Sequence, residues 1–178
     1  MIVINFWGGP GCGKSTTAAW LFSELKTQGQ VGYSCEYVTE FAKDLTWEKN
    51  KRALECQEYV FGNQSWRMER VRNKVDVIIT DSPLPLSVMY NKRLNSKWFS
   101  NVVMEVFDSY DNINIYLKRP VFYRTEGRNE TEKDAEYLDK QILNILLKHD
   151  IQTKSFDVED ENFREKLLEY VLSEIKAR

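Results

Sequence analysis

The residues best suited to chemistry form a glycine-rich segment near the start of the chain. Residues 8–15 read GGPGCGKS and match the phosphate-loop pattern G-x-x-x-x-G-K-[ST] at every fixed position. Glycines let successive backbone N–H groups converge on one anion, and a helix that follows presents further unpaired amides to the same phosphates. Lys14 can neutralise the β- and γ-phosphates of a nucleotide, and the Ser15 hydroxyl can ligate Mg²⁺. The pattern predicts a site for a nucleoside triphosphate and Mg²⁺.

Two further observations indicate which nucleotide binds and which residues contact it. No Asn-Lys-x-Asp element of the kind that recognises guanine stands after a predicted strand, so we expect ATP. Cys12 lies inside the loop, where we expect its backbone to face the ligand, and a catalytic thiol is the alternative. The predicted nucleotide ligands in this segment are Gly9, Gly11, Cys12, Gly13, Lys14, Ser15 and Thr16.

Two carboxylates follow predicted strands. Asp81 comes directly after the hydrophobic run VDVIIT, residues 75–80, and such a strand typically lies beside a phosphate loop. We predict that Asp81 holds Mg²⁺ directly or through water, and the alternative is a helix N-cap ahead of Pro83. Glu40 follows a strand predicted at 33–38. Because the carboxyl ends of parallel strands line the ligand crevice, Glu40 is a candidate base for the hydroxyl of an acceptor, or else an ordinary solvated residue.

A helical face downstream combines an aromatic ring with amides. Gln57, Phe61 and Gln64 share one face at i, i+4 and i+7, and Arg67 lies about one turn beyond. A ring can stack on a nucleobase while amides pair with the edge of the base. We predict that these residues bind the substrate, and the alternative is a packing stripe with polar edges.

A basic segment at residues 118–130 is a candidate lid. Lys118, Arg119, Arg124 and Arg128 concentrate positive charge there, and Gly127 can act as a hinge. Guanidinium groups suit the charge that spreads over transferring phosphoryl oxygens, so we predict catalytic roles for Arg124 and Arg128 and a nucleotide contact for Arg119. A solvated basic loop is the alternative.

Composition limits the class of protein. The 178 residues are 42% hydrophobic and 29% charged, which is typical of a folded globular chain. A formal net charge of −2 gives no general attraction to a nucleic-acid backbone, so a nucleic-acid partner is disfavoured without being excluded. The 3 cysteines have no accompanying His pair, and we expect reduced thiols, no zinc site and a cytoplasmic location. No segment approaches the roughly 20 apolar residues that span a bilayer, so we expect no membrane association.

The elements that position these residues alternate between strands and helices. This order predicts an α/β fold of three layers, in which a five-stranded parallel sheet is covered by helices on both faces, in one domain over residues 1–178. The predicted strands lie at 2–7, 33–38, 75–80, 114–117 and 155–158, and the predicted helices at 14–29, 50–73, 96–110, 131–148 and 162–176. Residues 41–46 are predicted to form a short helical or irregular segment. The single His149 is predicted to lie on the surface.

The sequence resembles a small group of P-loop kinases. This group includes the ribosylnicotinamide kinase domain of bifunctional NAD-biosynthesis proteins and many phage-encoded ATPases labelled AAA. The resemblance runs over most of the chain and rests on GGPGCGKST, VTEFAKDL, ALECQEYVFGNQ, ITDSPL and KRPVFYRTEGRNETEKDAEYLDKQI. It implies a nucleoside- or nucleotide-kinase-like P-loop NTPase fold, a base or substrate ligand at Glu40 and a substrate contact at Gln57. Thymidylate and deoxynucleoside kinases are similar in layout, but their Asp-Arg pair is Asp81-Ser82 here, so the resemblance does not by itself assign their particular substrates to this chain.

The predicted function is therefore that of an ATP- and Mg²⁺-dependent kinase. The acceptor is a nucleoside, a nucleotide or a related small molecule that approaches from the side of Glu40 and the helix with Gln57. One alternative is a regulatory ATPase or switch that acts on a protein partner, and another is a kinase of a polynucleotide or of a modified DNA base. The acceptor and the oligomeric state stay open, with a homodimer among the states considered.

Overall fold

A computed structural model of the chain describes residues 1–27, 32–93, 97–120 and 132–178. Within these ranges the strands are β1 (Ile2–Trp7), β2 (Cys35–Val38), β3 (Val77–Thr80), β4 (Asp111–Lys118) and β5 (Lys154–Asp157). The helices are α1 (Lys14–Thr27), α2 (Phe41–Trp47), α3 (Lys51–Glu55), α4 (Gln57–Glu69), α5 (Leu86–Tyr90), α6 (Lys97–Asp108), α7 (Glu132–Lys148) and α8 (Phe163–Lys176).

The strands form one sheet in the order β2-β3-β1-β4-β5, and every neighbouring pair is parallel. This confirms the predicted α/β fold with a five-stranded parallel sheet. β1 and β3 lie inside the sheet, and their side chains are buried from Val3 to Trp7 and throughout β3. Helices cover both faces, which is why these strands appear in the sequence as continuous apolar runs.

Two hydrophobic clusters hold the layers together. On one face, α1 and α8 pack against the sheet through residues such as Leu21 and Leu167. On the other face, α4, α6 and α7 contribute Met68, Val103 and Ile142 to the second cluster. No helix among the described residues is long and apolar enough to cross a membrane.

Most predicted elements are present, but one predicted helix is divided. The helix expected over 50–73 breaks at Cys56, whose φ of −87° and ψ of 84° are not helical, so α3 ends at Glu55 and α4 begins at Gln57. The Gln57 Nε2 group donates to the Leu54 carbonyl oxygen at 2.8 Å and so helps to satisfy the end of α3. The predicted helix ends at 29, 96 and 131 lie outside the described residues.

His149 is not the surface residue that the sequence predicts. Its side chain is partly buried, and its Nε2 atom is buried with no hydrogen-bond partner among the described residues. Burial lowers the pKa of the imidazole, because the charged form loses hydration, and the nearby Lys148 lowers it further.

Trp7 offers a test of this core. Its ring is fully buried, packs edge-on against Phe107 with centroids 6.1 Å apart, and donates from Nε1 to Asn114 Oδ1 at 3.0 Å. We expect Trp7→Phe to lower the free energy of unfolding by about 1–3 kcal/mol, because it removes a buried hydrogen bond. Urea denaturation measures the change. Trp47, whose side chain is 70% exposed, supplies the control: Trp47→Phe should change stability by no more than about 0.5 kcal/mol. Equal losses in both variants would contradict this account of the core.

Candidate functional site

Three strand ends bring the candidate residues to one edge of the sheet. β3 lies between β2 and β1, and Thr80 pairs in register with Val38 on one side and Asn5 on the other. The glycine-rich loop follows β1, Asp81 follows β3, and Glu40 stands two residues beyond β2. Because the strands are parallel, all of these segments emerge at the carboxyl edge, with Asp81 between the other two.

The glycine-rich loop is closed around the side chain of Lys14. The Lys14 ammonium donates to the carbonyl oxygens of Gly8 at 2.6 Å and Gly9 at 2.9 Å, and it lies 4.0 Å from the Cys12 sulfur. Gly11 and Gly13 have φ angles of 90° and 88°, a region that residues with a side chain rarely adopt. The two glycines therefore explain how the chain turns from β1 into α1.

The side chains of the loop differ in their access to solvent. The Cys12 side chain is completely buried, and its thiol is free of any disulfide. Ser15 and Thr16 are exposed in the first turn of α1. The Ser15 hydroxyl is thus accessible to a ligand, whereas the Cys12 thiol is covered, which disfavours the alternative of a catalytic thiol.

One carboxylate oxygen of Asp81 is buried and accepts no hydrogen bond from the described residues. Its side chain is 3% exposed, and its Oδ1 atom has no hydrogen-bond partner among the described residues. The alternative role as a cap of the next helix is wrong, because α5 begins after Pro85 and receives no hydrogen bond from a capping side chain. A buried acceptor without a donor is costly, so this position favours a cation or a donor supplied by a ligand.

Tyr37, which the sequence analysis did not single out, joins this group. Burial raises the pKa of its hydroxyl, and the Asp81 carboxylate raises it further through charge and hydrogen bonding. Hydrogen bonding with Ser15 acts in the opposite direction, and the charge of Glu40 raises the pKa again. The Tyr37 hydroxyl therefore lies among Ser15, Asp81 and Glu40 and is neutral at physiological pH. Its position near the end of β2 was a signal in the sequence that it could lie at the site. The face of the sheet to which its side chain points could be known only from the structure.

The segment around Glu40 is held by the side chain of Gln64. The Gln64 Oε1 atom accepts from the Phe41 N–H at 2.8 Å, and Nε2 donates to the Thr39 carbonyl oxygen at 3.3 Å. Through these two hydrogen bonds the amide of Gln64 bridges the backbone groups on either side of Glu40. The Gln64 side chain is only 3% exposed. Glu40 itself is partly buried at the N-terminus of α2.

The other candidate substrate residues of α4 also have defined contacts. Arg67 donates to the Thr39 hydroxyl at 3.2 Å, forms an ion pair with Asp44 and lies over the Phe41 ring. Phe61 packs edge-on against Phe99, with centroids 5.8 Å apart. Gln64 and Arg67 thus lie against the Glu40 segment, while Phe61 and the buried Gln57 belong to the packing of α4. Their roles as substrate ligands stay predictions.

The candidate lid is described only at its start. Arg124, Gly127 and Arg128 lie outside the described residues, and Lys118 is an exposed residue at the end of β4. Arg119 contacts the underside of the loop, where its Nη1 group donates to the Pro10 carbonyl oxygen at 2.7 Å. Arg119 also forms an ion pair with Asp139, a residue that the sequence analysis missed because it lies in the middle of an amphipathic helix.

Four of the predicted site residues could take part in metal binding or phosphate chemistry at one edge of the sheet: Lys14, Ser15, Glu40 and Asp81. Among the described residues, no group of three or more His, Cys, Asp or Glu side chains is arranged to hold a metal ion. An ion at Ser15 and Asp81 would therefore need further ligands from a bound molecule or from water.

Solved structures of similar fold are kinases and a nucleotide complex. The thymidylate kinase from Ehrlichia chaffeensis superposes with a TM-score of 0.62 at 13% identity, covering 98% of each chain. The deoxyadenosine kinase from M. mycoides, with dCMP and dCDP bound, has a TM-score of 0.57 at 20% identity and covers 99% of this chain and 100% of its own. The YorR protein from Bacillus subtilis, in complex with phosphorylated GDP, has a TM-score of 0.59 at 16% identity and covers 98% of this chain and 95% of its own.

The sequence comparisons give the family. No curated protein is significantly similar to this sequence. Residues 3–166, which make up most of the 178-residue chain, match the AAA domain family. The similar solved structures have low sequence identity to this chain and therefore inform on the fold alone. The chain belongs to the AAA domain family, and it has the P-loop NTPase fold of the nucleotide kinases that it resembles in structure.

Proposed function

We propose that this protein is an ATP- and Mg²⁺-dependent kinase that phosphorylates a nucleoside, a nucleotide or a related small acceptor. The observation that carries the proposal is the arrangement at the carboxyl edge of the sheet. There the phosphate loop, the buried carboxylate of Asp81 and the carboxylate of Glu40 follow three adjacent strands. A phosphoryl donor site and a candidate base for an acceptor therefore stand next to each other.

Lys14 and the loop amides form the donor side of this site. The Lys14 ammonium already lies against the loop carbonyls, so it is oriented before a nucleotide arrives. Its longest contact, 4.0 Å to the Cys12 sulfur, is a weak interaction that a phosphate oxygen can replace. The amides of the loop and of the first turn of α1 add donors for the same phosphates.

Ser15 and Asp81 fit the requirements of Mg²⁺. The cation prefers hard oxygen ligands and retains water, and a hydroxyl beside a carboxylate supplies such oxygens. The buried Oδ1 atom of Asp81, which lacks a donor among the described residues, supports this assignment. When bound, Mg²⁺ supplies neutralisation of charge at the phosphate oxygens. The Tyr37 hydroxyl, neutral and close to both residues, helps to orient them.

Glu40 is the proposed base on the acceptor side. The Gln64 amide fixes the backbone on both sides of Glu40 and thereby limits the positions that the carboxylate can reach. A carboxylate held in this way can accept the proton of an acceptor hydroxyl as the oxygen attacks the γ-phosphate. The thymidylate and deoxyadenosine kinases of similar fold support a nucleotide or nucleoside as the acceptor class.

An acceptor panel tests the proposal. We expect one class among nucleosides, mononucleotides and nicotinamide riboside to accelerate ADP release from ATP by at least an order of magnitude and to yield a phosphorylated product in mass spectrometry. Lys14→Ala is the inactive reference, because it removes the charge that faces the phosphates, and its circular dichroism should match the wild type. ATP hydrolysis at one rate with every acceptor would overturn the kinase proposal and favour a regulatory ATPase.

Glu40→Gln separates the acceptor step from nucleotide binding. We expect phosphoryl transfer to fall roughly a hundredfold or more, because an amide cannot accept the acceptor proton, while the affinity for ATP stays close to that of the wild type. Steady-state kinetics and calorimetric titration measure the two quantities. Glu48→Gln, an exposed change at the other end of α2, should alter neither. A Glu40→Gln enzyme with wild-type turnover would remove Glu40 from the mechanism.

Asp81→Asn tests the metal site. Loss of the carboxylate charge should raise the Mg²⁺ concentration at half-maximal activity by about tenfold or more. The measurement is a titration of activity with MgCl₂ at saturating ATP. Asp108→Asn, a change of the same chemistry at the exposed end of α6, is the matched control. An unchanged titration for Asp81→Asn would show that the residue does not hold the metal.

A further inference from the structure

Asp139 and Arg119 form a bridge beneath the phosphate loop. Each oxygen of the Asp139 carboxylate accepts one hydrogen bond: Oδ1 accepts from the Gly9 N–H at 2.7 Å, and Oδ2 accepts from Arg119 Nε at 2.7 Å. The residues come from distant parts of the sequence, since Asp139 lies 130 positions from Gly9. Asp139 is in α7, and Arg119 follows β4 directly.

The Arg119 guanidinium extends this bridge to the next residue of the loop. Its Nη1 group donates to the Pro10 carbonyl oxygen at 2.7 Å, and Nη2 donates to the Ala135 carbonyl oxygen at 3.1 Å. The side chains of Arg119 and Asp139 are only 16% and 18% exposed, so water screens their attraction less than it would at an open surface. The planar guanidinium thus joins α7 to the loop at a defined distance.

The first three loop residues are held from two sides. From the inside, Lys14 contacts the Gly8 and Gly9 carbonyl oxygens, and the Cys12 N–H donates to the Gly9 carbonyl at 3.4 Å. From the outside, the pair of Asp139 and Arg119 contacts the Gly9 N–H and the Pro10 carbonyl. The bridge and Lys14 therefore bind different backbone groups of the same three residues.

The glycine at position 9 also indicates how closely the bridge approaches the loop. Position 9 is a variable position of the phosphate-loop pattern, and Gly9 does not have the positive φ that favours glycine at positions 8, 11 and 13. A Cβ atom at position 9 would nevertheless collide with Asp139 Oδ1 and lie 2.7 Å from Arg119 Nη2. Glycine at this position thus leaves room for the bridge, and a residue with a Cβ atom would displace the ends of the Asp139 and Arg119 side chains.

We infer that Asp139, acting with Arg119, is a positioning residue that sets the shape of the phosphate loop for nucleotide binding. This inference rests on the nucleotide site proposed above. A loop held in its binding shape loses less conformational entropy when the triphosphate binds, so the bridge raises affinity for the nucleotide without touching the reacting atoms. Arg119 thereby acts through the loop, which differs from the direct nucleotide contact that its sequence position suggests.

The test is calorimetric titration of the full chain with a non-hydrolysable ATP analogue and Mg²⁺. We expect Asp139→Ala to weaken binding at least about tenfold, because the Gly9 N–H and the Arg119 Nε group both lose their acceptor. Glu136→Ala, an exposed acidic residue in the same helix, is the matched control and should bind within about twofold of the wild type.

Two further variants distinguish positioning from general stability. Gly9→Ala displaces the bridge while keeping both charges, and it should weaken nucleotide binding like Asp139→Ala even if that variant folds poorly. Arg119→Gln combined with Asp139→Ala should cost little more than either change alone, because both act through one bridge. In the transfer assay, the KM for ATP should rise while the KM for the acceptor stays constant.

The outcomes separate this inference from the proposed kinase activity. Lower melting temperatures for Asp139→Ala and Gly9→Ala with wild-type affinity for the analogue would overturn the positioning role and leave the kinase proposal intact. Weaker analogue binding in a protein that phosphorylates no acceptor would support the bridge while the kinase proposal fails. A wild-type chain that binds no nucleotide would overturn both.

Discussion

Strand β3 forms parallel ladders with β2 on one side and with β1 on the other, and this pairing determines which functional groups meet. Thr80 is in register with both Val38 and Asn5, so β2 and β3 end at one level while β1 continues to Trp7, and the segments after all three strands leave from the same edge of the sheet. A slip of one residue would turn every side chain of a strand to the opposite face and carry Tyr37 away from Asp81. The continuous burial of β1 and β3 opposes such a slip only through side-chain fit, since both faces are apolar. Between β1 and β4, the pairs Asn5–Asn112 and Trp7–Asn114 add polar contacts that a change of register between these two strands would break.

The same edge of the sheet combines stable packing with groups that are poorly satisfied. Asp81 is almost fully buried, and one of its oxygens has no donor within the described residues, although the neighbouring Tyr37 hydroxyl stays neutral beside the carboxylate. A buried carboxylate in this state reduces the stability of the chain. A ligand that supplies the missing partner offsets this cost, because the new interaction contributes to the free energy of binding and so stabilises the folded chain. The buried Asp81 oxygen without a donor therefore favours a ligand at this position, which the packing of the core alone would not indicate.

Local patterns in the sequence were sufficient to predict the fold class, and they also indicated the candidate site residues that are continuous in the chain. The apolar runs of β1 and β3, the glycines of the loop and the amphipathic pattern of α7 each depend on neighbouring residues, so these elements could be predicted, whereas the order of the strands in the sheet could not. Cys56, where one predicted helix divides into two, has no proline or glycine as a signal, and the break is stabilised by the contact of Gln57 with Leu54. Contacts between residues that are distant in the sequence could not be predicted from such local patterns. Asp139 looks like an ordinary polar position of an amphipathic helix, and only the packing of α7 beneath the loop brings it to the Gly9 N–H.

The helix α4 shows how one residue can serve packing and function through the same contacts. Gln64 was expected to read a nucleobase, but both ends of its amide are engaged by the backbone around Glu40. A pairing with a base would have to break these hydrogen bonds in a site from which water is largely excluded, and each broken bond would leave a backbone group without a partner. Arg67 is constrained in a similar way by Asp44 and Thr39. In the proposed kinase, the influence of this helix on the acceptor would therefore pass most directly through the orientation of Glu40. Selection of an acceptor would then depend on which hydroxyl group the positioned carboxylate can reach, more than on the edge of the base that the acceptor carries.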